Sequence, residues 1–299
     1  MTATVANTEL RRRVEKIRSL PSSPAVLQPL LEVLRQPPDR IELGKVEQLV
    51  SYEKTIAAQL LRIANSPLYA RARPAETIQA AIFTLGIQRV EDILLSNCLG
   101  KLVPNEKWVV DPGVFWRHSF GCALVCRELA YRIEYPEGDR AYLAGLLHDL
   151  GIIVNSLAYT EEYRTVLARA VESGRPLDEQ EEETLSFTHC QSGSFLARSW
   201  QLPAAIIEVI EFHHVIDRAP SGNPLIALTR IADLLCRVRG LGYGYEEWRA
   251  IDLEGDPAWM ILAKHCPKLA SVDLARLTFD LDAYVVSITA LVNGIFSPN

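Results

Sequence analysis

Apolar residues recur along this chain with the period of an α-helix. The segments 43–52 (LGKVEQLVSY) and 54–65 (KTIAAQLLRIAN) are each apolar at i, i+3, i+4 and i+7. Runs of alternating β-branched residues, the mark of half-buried strands, are scarce. The pattern therefore predicts an all-α, multi-helix protein. Before these segments, Ser23 is placed to cap a helix over 24–36 with Pro24 at its first position, and Pro37-Pro38 stops it. Asn65-Ser66-Pro67 ends the 54–65 helix. Two further helices close at Gly86 and Gly100.

Residues 101–113 hold two prolines and a glycine, so a subdomain boundary is expected there. Val103, Trp108, Val109 and Val110 make it a packed boundary rather than a flexible linker. The expected division is an N-terminal extension over 1–17, a helical subdomain over 18–100 and a second subdomain over 101–299 that ends in a helical extension. The long helix over 114–133 presents Phe115, Trp116, Phe120, Leu124 and Leu129 as a broad buried face, and carries His118 among them.

The segment 140–154 (RAYLAGLLHDLGIIV) is small and apolar except for Arg140 and the pair His148-Asp149. It reads as a buried helix that breaks just after the pair. The segment 160–174 is an amphipathic helix with a glycine stop. The acidic run Asp178–Glu183 reads as a solvated face. Thr188 and Gln191 form a capping box, which puts His189 in the first turn of the next helix. His213 and His214 fall at a helix C-terminus. Asp233 is the one carboxylate in the apolar helix over 223–238. Helical segments around 257–266 and 273–296 complete the chain.

Composition narrows the function classes. The chain has 299 residues, 48% hydrophobic and 23% charged, with a net charge of −6. There is no basic footprint for nucleic acid. The sequence offers no uninterrupted apolar run of about 18 residues, so no membrane span is expected. The N-terminus lacks a secretory h-region. Six scattered cysteines without a CxxC pair read as reduced thiols of a cytoplasmic protein.

Five of the six histidines lie at helix ends or inside apolar helices: His118, His148, His189, His213 and His214. Asp149 and Asp233 share such settings. Any one of them reads first as a hydrogen-bonded core residue. As a set, imidazole nitrogens and carboxylate oxygens from converging helices suit a divalent metal such as iron, zinc or manganese.

The pattern H…HD…D, here His118, His148-Asp149 and Asp233, resembles the metal signature of HD-superfamily phosphohydrolases. His189 and His213-His214 are similar to the second-metal ligands of binuclear members, including the HD-GYP cyclic-dinucleotide phosphodiesterases. In those enzymes the counterpart of Asp149 bridges the two ions. LPSSPAVLQPLLEVL, LLRIANSPLY, AAIFTLGIQRVEDILL and the Trp200-Gln-Leu-Pro203 turn resemble HDOD proteins, the HD-related output domains, over about residues 18–215. The resemblance implies an HD-like helical bundle with an N-terminal helical subdomain. Many HD phosphohydrolases carry a lysine three residues after the aspartate, where this chain has Ile152. The GYP motif is absent, and Val114 stands where a binuclear site could use another carboxylate.

Three readings follow, in this order. The first is an HDOD-type signalling or regulatory protein with a retained site for one or two metal ions, acting on a partner protein or a small ligand such as a nucleotide. The second is a metal-dependent phosphohydrolase of linear or cyclic nucleotides, with a metal-bound water and Asp149 at its centre. The third is a buried polar network without metal.

Overall fold

The structure is a computed structural model. It describes residues 42–51, 54–65, 74–87, 89–90, 93–94, 108–220, 222–248 and 250–280. The helix expected over 24–36, its Ser23 cap, the stop at Pro37-Pro38, and the chain around Gly100, Val103 and beyond 280 lie outside the described residues. Every regular element that is described is helical. The described residues fall into two compact units, one within Pro21–Leu102 and one within Val103–Ile288.

In the first unit, α1 (Leu43–Ser51), α2 (Lys54–Ala64) and α3 (Ile78–Leu85) pack on one another. Val46, Val50, Ile56, Leu60 and Ile82 form the core, as their helical spacing requires. Asn65 spans the connection to α3. Its side chain donates to the Ala75 carbonyl at 2.9 Å and accepts from the Ala75 amide at 2.7 Å. Thr77 caps α3 by accepting from the Ala80 amide at 3.1 Å.

The second unit is built around α4 (Pro112–Arg132). Asp111 caps it, accepting from the Val114 amide at 2.9 Å, and Pro112 opens it. Trp108, Phe115, Trp116 and Phe120 pack ring against ring near its start, with neighbouring centroids 4.9–6.5 Å apart. Leu124 is only half-buried, at the margin of that face. Helices α5 (Gly138–Leu147) and α11 (Pro224–Val238) lie against α4. Next come α6 (Leu150–Ala158), α7 (Thr160–Ser173), α8 (Leu177–Leu185), α9 (His189–Ser199) and α10 (Ala204–Phe212). After α11 comes α12 (Pro257–His265), which packs on it.

The 140–158 stretch departs from expectation in one respect. The helix breaks at His148-Asp149 itself, and α6 restarts at Leu150 with Gly151 inside it. Mean hydropathy over Arg140–Ala158 reaches 1.4, apolar enough for a membrane span by composition, yet 89% of it is buried inside the protein. It is the core of the unit, and the break at its centre is what aims the pair.

Two glycines let other helices reach that break. A Cβ on Gly145 would lie 2.6 Å from the Cys122 carbonyl on α4. A Cβ on Gly151 would collide with the His189 carbonyl on α9. The obstruction is backbone in both cases, so rotamer changes cannot relieve it. Gly151→Ala should cost about 3 kcal/mol, the upper part of the overpacking range, read as a lower denaturation midpoint in urea. An unchanged midpoint would show that α6 and α9 are not held this close.

Candidate metal centre

The break in the core stretch turns both side chains of His148-Asp149 inward, and both are fully buried. Four other elements meet them there. Helix α4 supplies His118, the first turn of α9 supplies His189, the end of α10 supplies His213 and His214, and α11 supplies Asp233. All except the partly buried His214 have no exposed surface. The seven residues singled out from sequence therefore converge.

Asp149 sits in the middle. Its Oδ2 lies 3.2 Å from His118 Nε2 and 3.1 Å from His148 Nε2. Its Oδ1 lies 3.3 Å from His189 Nε2 and 3.5 Å from His213 Nε2. Asp233 Oδ1 is 3.4 Å from His118 Nε2. One carboxylate thus faces two groups of imidazoles, one with each oxygen.

The other ring nitrogens fix the tautomers. His118 Nδ1 donates to the Leu241 carbonyl at 2.5 Å and His148 Nδ1 to the Gly145 carbonyl at 2.8 Å. His213 Nδ1 faces the Val209 carbonyl at 3.1 Å, and His189 Nδ1 donates to Glu181 at 2.7 Å. With Nδ1 protonated, each ring turns its Nε2 inward, where a metal or a second proton can be held. Burial is outweighed by Glu181 at His189, whose pKa is raised, and by Cys190 at His213, where it rises to about 10. His118 Nε2 and His148 Nε2 stand 3.2 Å apart. Asp149 Oδ1 and Asp233 Oδ2 are buried and accept no hydrogen bond from a described residue.

So many lone pairs turned toward one another in a dry interior need a cation or extra protons between them. The residues fit a metal: neutral imidazoles and ionised carboxylates are the donor set of a borderline divalent ion. The second contacts that orient each imidazole are those that metal-site histidines use. Groups from this set, with Cys122 beside one and Cys190 beside the other, could hold a metal ion.

His214 is turned the other way. Its Nδ1 faces the Arg230 guanidinium at 3.1 Å and therefore accepts, so its Nε2 carries the proton and donates to His189 Nε2 at 3.2 Å. Burial, followed by the charges of His213 and His189, holds its pKa well below the ordinary imidazole value.

Burial alone would raise the carboxylate pKa values. For Asp149 the surrounding imidazoles, His148 foremost, outweigh burial and hold it well below the usual range. For Asp233 burial is outweighed by Arg237, which brings it down to about 2. Arg237 donates to Asp233 at 2.8 Å and to Glu247 at 2.7 Å. Because Asp233 is depressed when folded, its ion pair stabilises the fold above the ordinary carboxylate pKa, and that contribution is lost as pH falls from about 4 to about 2. Arg237→Met should remove about 3–5 kcal/mol by stranding a buried carboxylate. It should also flatten that acid limb in urea denaturation measured across pH. A mutant curve parallel to wild type would refute the pairing.

Sequence reasoning missed Arg230, Arg237 and Tyr243 and misread Glu181. The run Asp178–Glu183 is not wholly solvated. Gln180 and Glu181 are buried, and Glu181 accepts from the His189 amide and Nδ1, both at 2.7 Å, from Tyr163 at 2.7 Å and from Asn155 at 3.2 Å. The signal was present as helical spacing: Leu177, Gln180 and Glu181 stand at i, i+3 and i+4 and share the inner face of α8. Arg230, Asp233 and Arg237 likewise share one face of α11, so spacing alone brings two cations to the site. Tyr243 gave no such signal. It lies in a glycine-rich connection after α11, yet its hydroxyl donates to Asp149 Oδ2. Ile152 is fully buried, so position 152 offers nothing to a ligand.

Beside His214, a pocket of about 290 Å³ is lined by Arg230, Arg237, Glu247, Asp252 and Asp256, among others.

These features define a helical protein with a buried His/Asp centre. The HDOD domain model matches residues 20–216, more than half of the chain, and the chain belongs to the HDOD family. Asp233 and Tyr243 lie beyond the matched residues. An HDOD domain protein of unknown function from Geobacter sulfurreducens is 26% identical, with a TM-score of 0.82 over 99% of this chain and 100% of that one. A candidate phosphohydrolase from Shewanella amazonensis shares the fold at 23% identity and a TM-score of 0.68, over 96% and 97% of the two chains. A candidate signal-transduction protein from Marinobacter aquaeolei does so at 19% identity and 0.77, over 98% of this chain and 66% of that one. An uncharacterized protein of Treponema pallidum is 27% identical over 75% of this chain. The chain spans 43% of the length of that relative.

Proposed function

We propose that this chain is a regulatory HDOD protein whose His/Asp centre holds a divalent metal. His118, His148, Asp149 and Asp233 would hold one ion. His189 and His213 would hold a second, with Asp149 shared between them. His214, whose Nδ1 is taken by Arg230 and whose Nε2 carries the proton, would support His189 rather than bind the ion. Iron, zinc and manganese all suit this donor set. The observation that carries the reading is the convergence of four imidazole Nε2 atoms on the two oxygens of the buried Asp149.

Regulation rather than hydrolysis is favoured by burial. Asp149 and Asp233 have no exposed surface, Tyr243 covers Asp149, and no lysine follows at position 152. The signal would reach the centre through a partner protein or a small ligand such as a nucleotide, with His214 and Arg230 as the link to the surface pocket. The cysteines among the described residues are free and buried, which agrees with work in a reducing compartment, the cytoplasm.

One observation favours the second reading, a metal-dependent phosphohydrolase. The pocket brings Arg230 and Arg237 beside His214, where a phosphate would have to displace Asp256 from Arg230 or Glu247 from Arg237 to gain the positive charge that Ile152 does not supply. In such an enzyme the metal would activate a water for attack on phosphorus. The chain's own part would be to orient the imidazoles through Glu181 and the Leu241 and Gly145 carbonyls.

Elemental analysis of purified protein, followed by assays on linear and cyclic nucleotides, tests the proposal. The expected result is bound metal at one or two ions per chain without nucleotide turnover. Metal-dependent turnover that disappears in Asp149→Asn would instead establish the phosphohydrolase. Protein that takes up no metal would leave the polar network alone.

A further inference from the structure

The connection that follows α11 touches the centre twice within three residues. The Leu241 carbonyl accepts from His118 Nδ1, and two residues later the Tyr243 hydroxyl donates to Asp149 Oδ2. That oxygen is the one facing His118 Nε2 and His148 Nε2 at 3.2 and 3.1 Å. The phenol is thus aimed at the point where the first group of ligand atoms converges. Its ring packs 4.8 Å from the His118 ring, and the side chain is buried. Arg237 lies over the same ring at 5.1 Å while it pairs with Asp233. The segment is pinned further along. Glu247 takes Arg237, and the Trp248 amide donates to the Gly174 carbonyl at 2.9 Å. Tyr243 therefore has a fixed place at the centre.

We propose that Tyr243 is a protein ligand of the metal centre, its phenolic oxygen taking the coordination position that a hydrolytic water would need. The proposal rests on the metal reading above. A cation in the cage competes with the phenolic proton for Asp149 Oδ2. The O–H bond breaks, the proton leaves to solvent as protons do when metals bind, and the oxygen pair turns to the ion. Burial and the Asp149 carboxylate hold the phenolic proton in place, with Arg237 over the ring opposing them, so it is the ion that must displace it. A centre closed by a tyrosine retains its ion and lacks the open position of catalytic sites.

Zinc titrated into metal-free full-length protein at neutral pH provides the test. Near-ultraviolet difference absorption reports tyrosinate formation, and zinc content is measured on the same samples. Wild type should show the signal of a single tyrosinate as zinc binds. Tyr243→Phe should bind zinc without it. Tyr245→Phe should keep it, since Tyr245 bonds the Arg175 carbonyl away from the centre. Far-ultraviolet circular dichroism checks that each variant is folded, and the wild-type result stands even if one is not. Zinc bound without tyrosinate, or tyrosinate that survives Tyr243→Phe, overturns the ligand role and leaves the metal reading intact. Protein that binds no zinc overturns both.

Discussion

Asp149→Asn should leave the chain folded and strip it of metal. The amide keeps the shape of the carboxylate but loses its charge, and Asp149 is the residue that faces both groups of imidazoles. Loss of a charged, shared ligand should weaken binding on the order of a thousandfold, or ~4 kcal/mol. The same figure appears in stability. A ligand that binds only the folded state adds about 4 kcal/mol at a thousand times its dissociation constant. Wild type should therefore gain several degrees of melting temperature in excess zinc, and Asp149→Asn should gain none. A purely structural network predicts something different. Asp149→Asn would then melt lower than wild type by the same amount with and without zinc, because the imidazoles would lose a charge partner and nothing else.

Glu181→Ala should be as damaging as any change outside the proposed ligands. Glu181 is fully buried and serves the His189 amide, His189 Nδ1, Tyr163 and Asn155. Removing it strands these donors at once, at a cost of about 3–5 kcal/mol if the breaking of a buried ion pair is the guide. Glu181→Gln is the sharper probe. It can still bond Tyr163, yet it no longer holds His189 Nδ1–H with a charge. Loss of such an outer partner typically costs about 10–100-fold in metal affinity. Chelator competition would read this directly. Affinity equal to wild type in Glu181→Gln would mean that His189 is not a ligand, or that its orientation is set elsewhere.

Glu181 also marks the limit of what the sequence disclosed. The helices were legible because burial repeats at 3.6 residues, and the histidines stood out because imidazoles are rare and sat in apolar surroundings. A glutamate among four acidic neighbours has no such contrast, and only its spacing from Leu177 set it apart. The pair His148-Asp149 was legible as a feature, while the break was misplaced by a residue or two. Gly151 lies inside α6, where its role is to admit the α9 backbone. Tyr243 was hidden for a different reason. It lies 94 residues from Asp149 in an irregular segment, and no local periodicity encodes a contact of that range. Arg230 and Arg237 lie between. Their spacing from Asp233 was on the page, but their direction depended on how α11 packs against α4.

The metal centre itself is tested most directly by diffraction from crystals of the metal-loaded protein, measured at the absorption edge of the added ion. An anomalous peak among His118 Nε2, His148 Nε2, Asp149 and Asp233, alone or with a second beside His189 and His213, is the predicted result. Stoichiometric metal with no peak in this cage, or with its peak elsewhere on the chain, would contradict it.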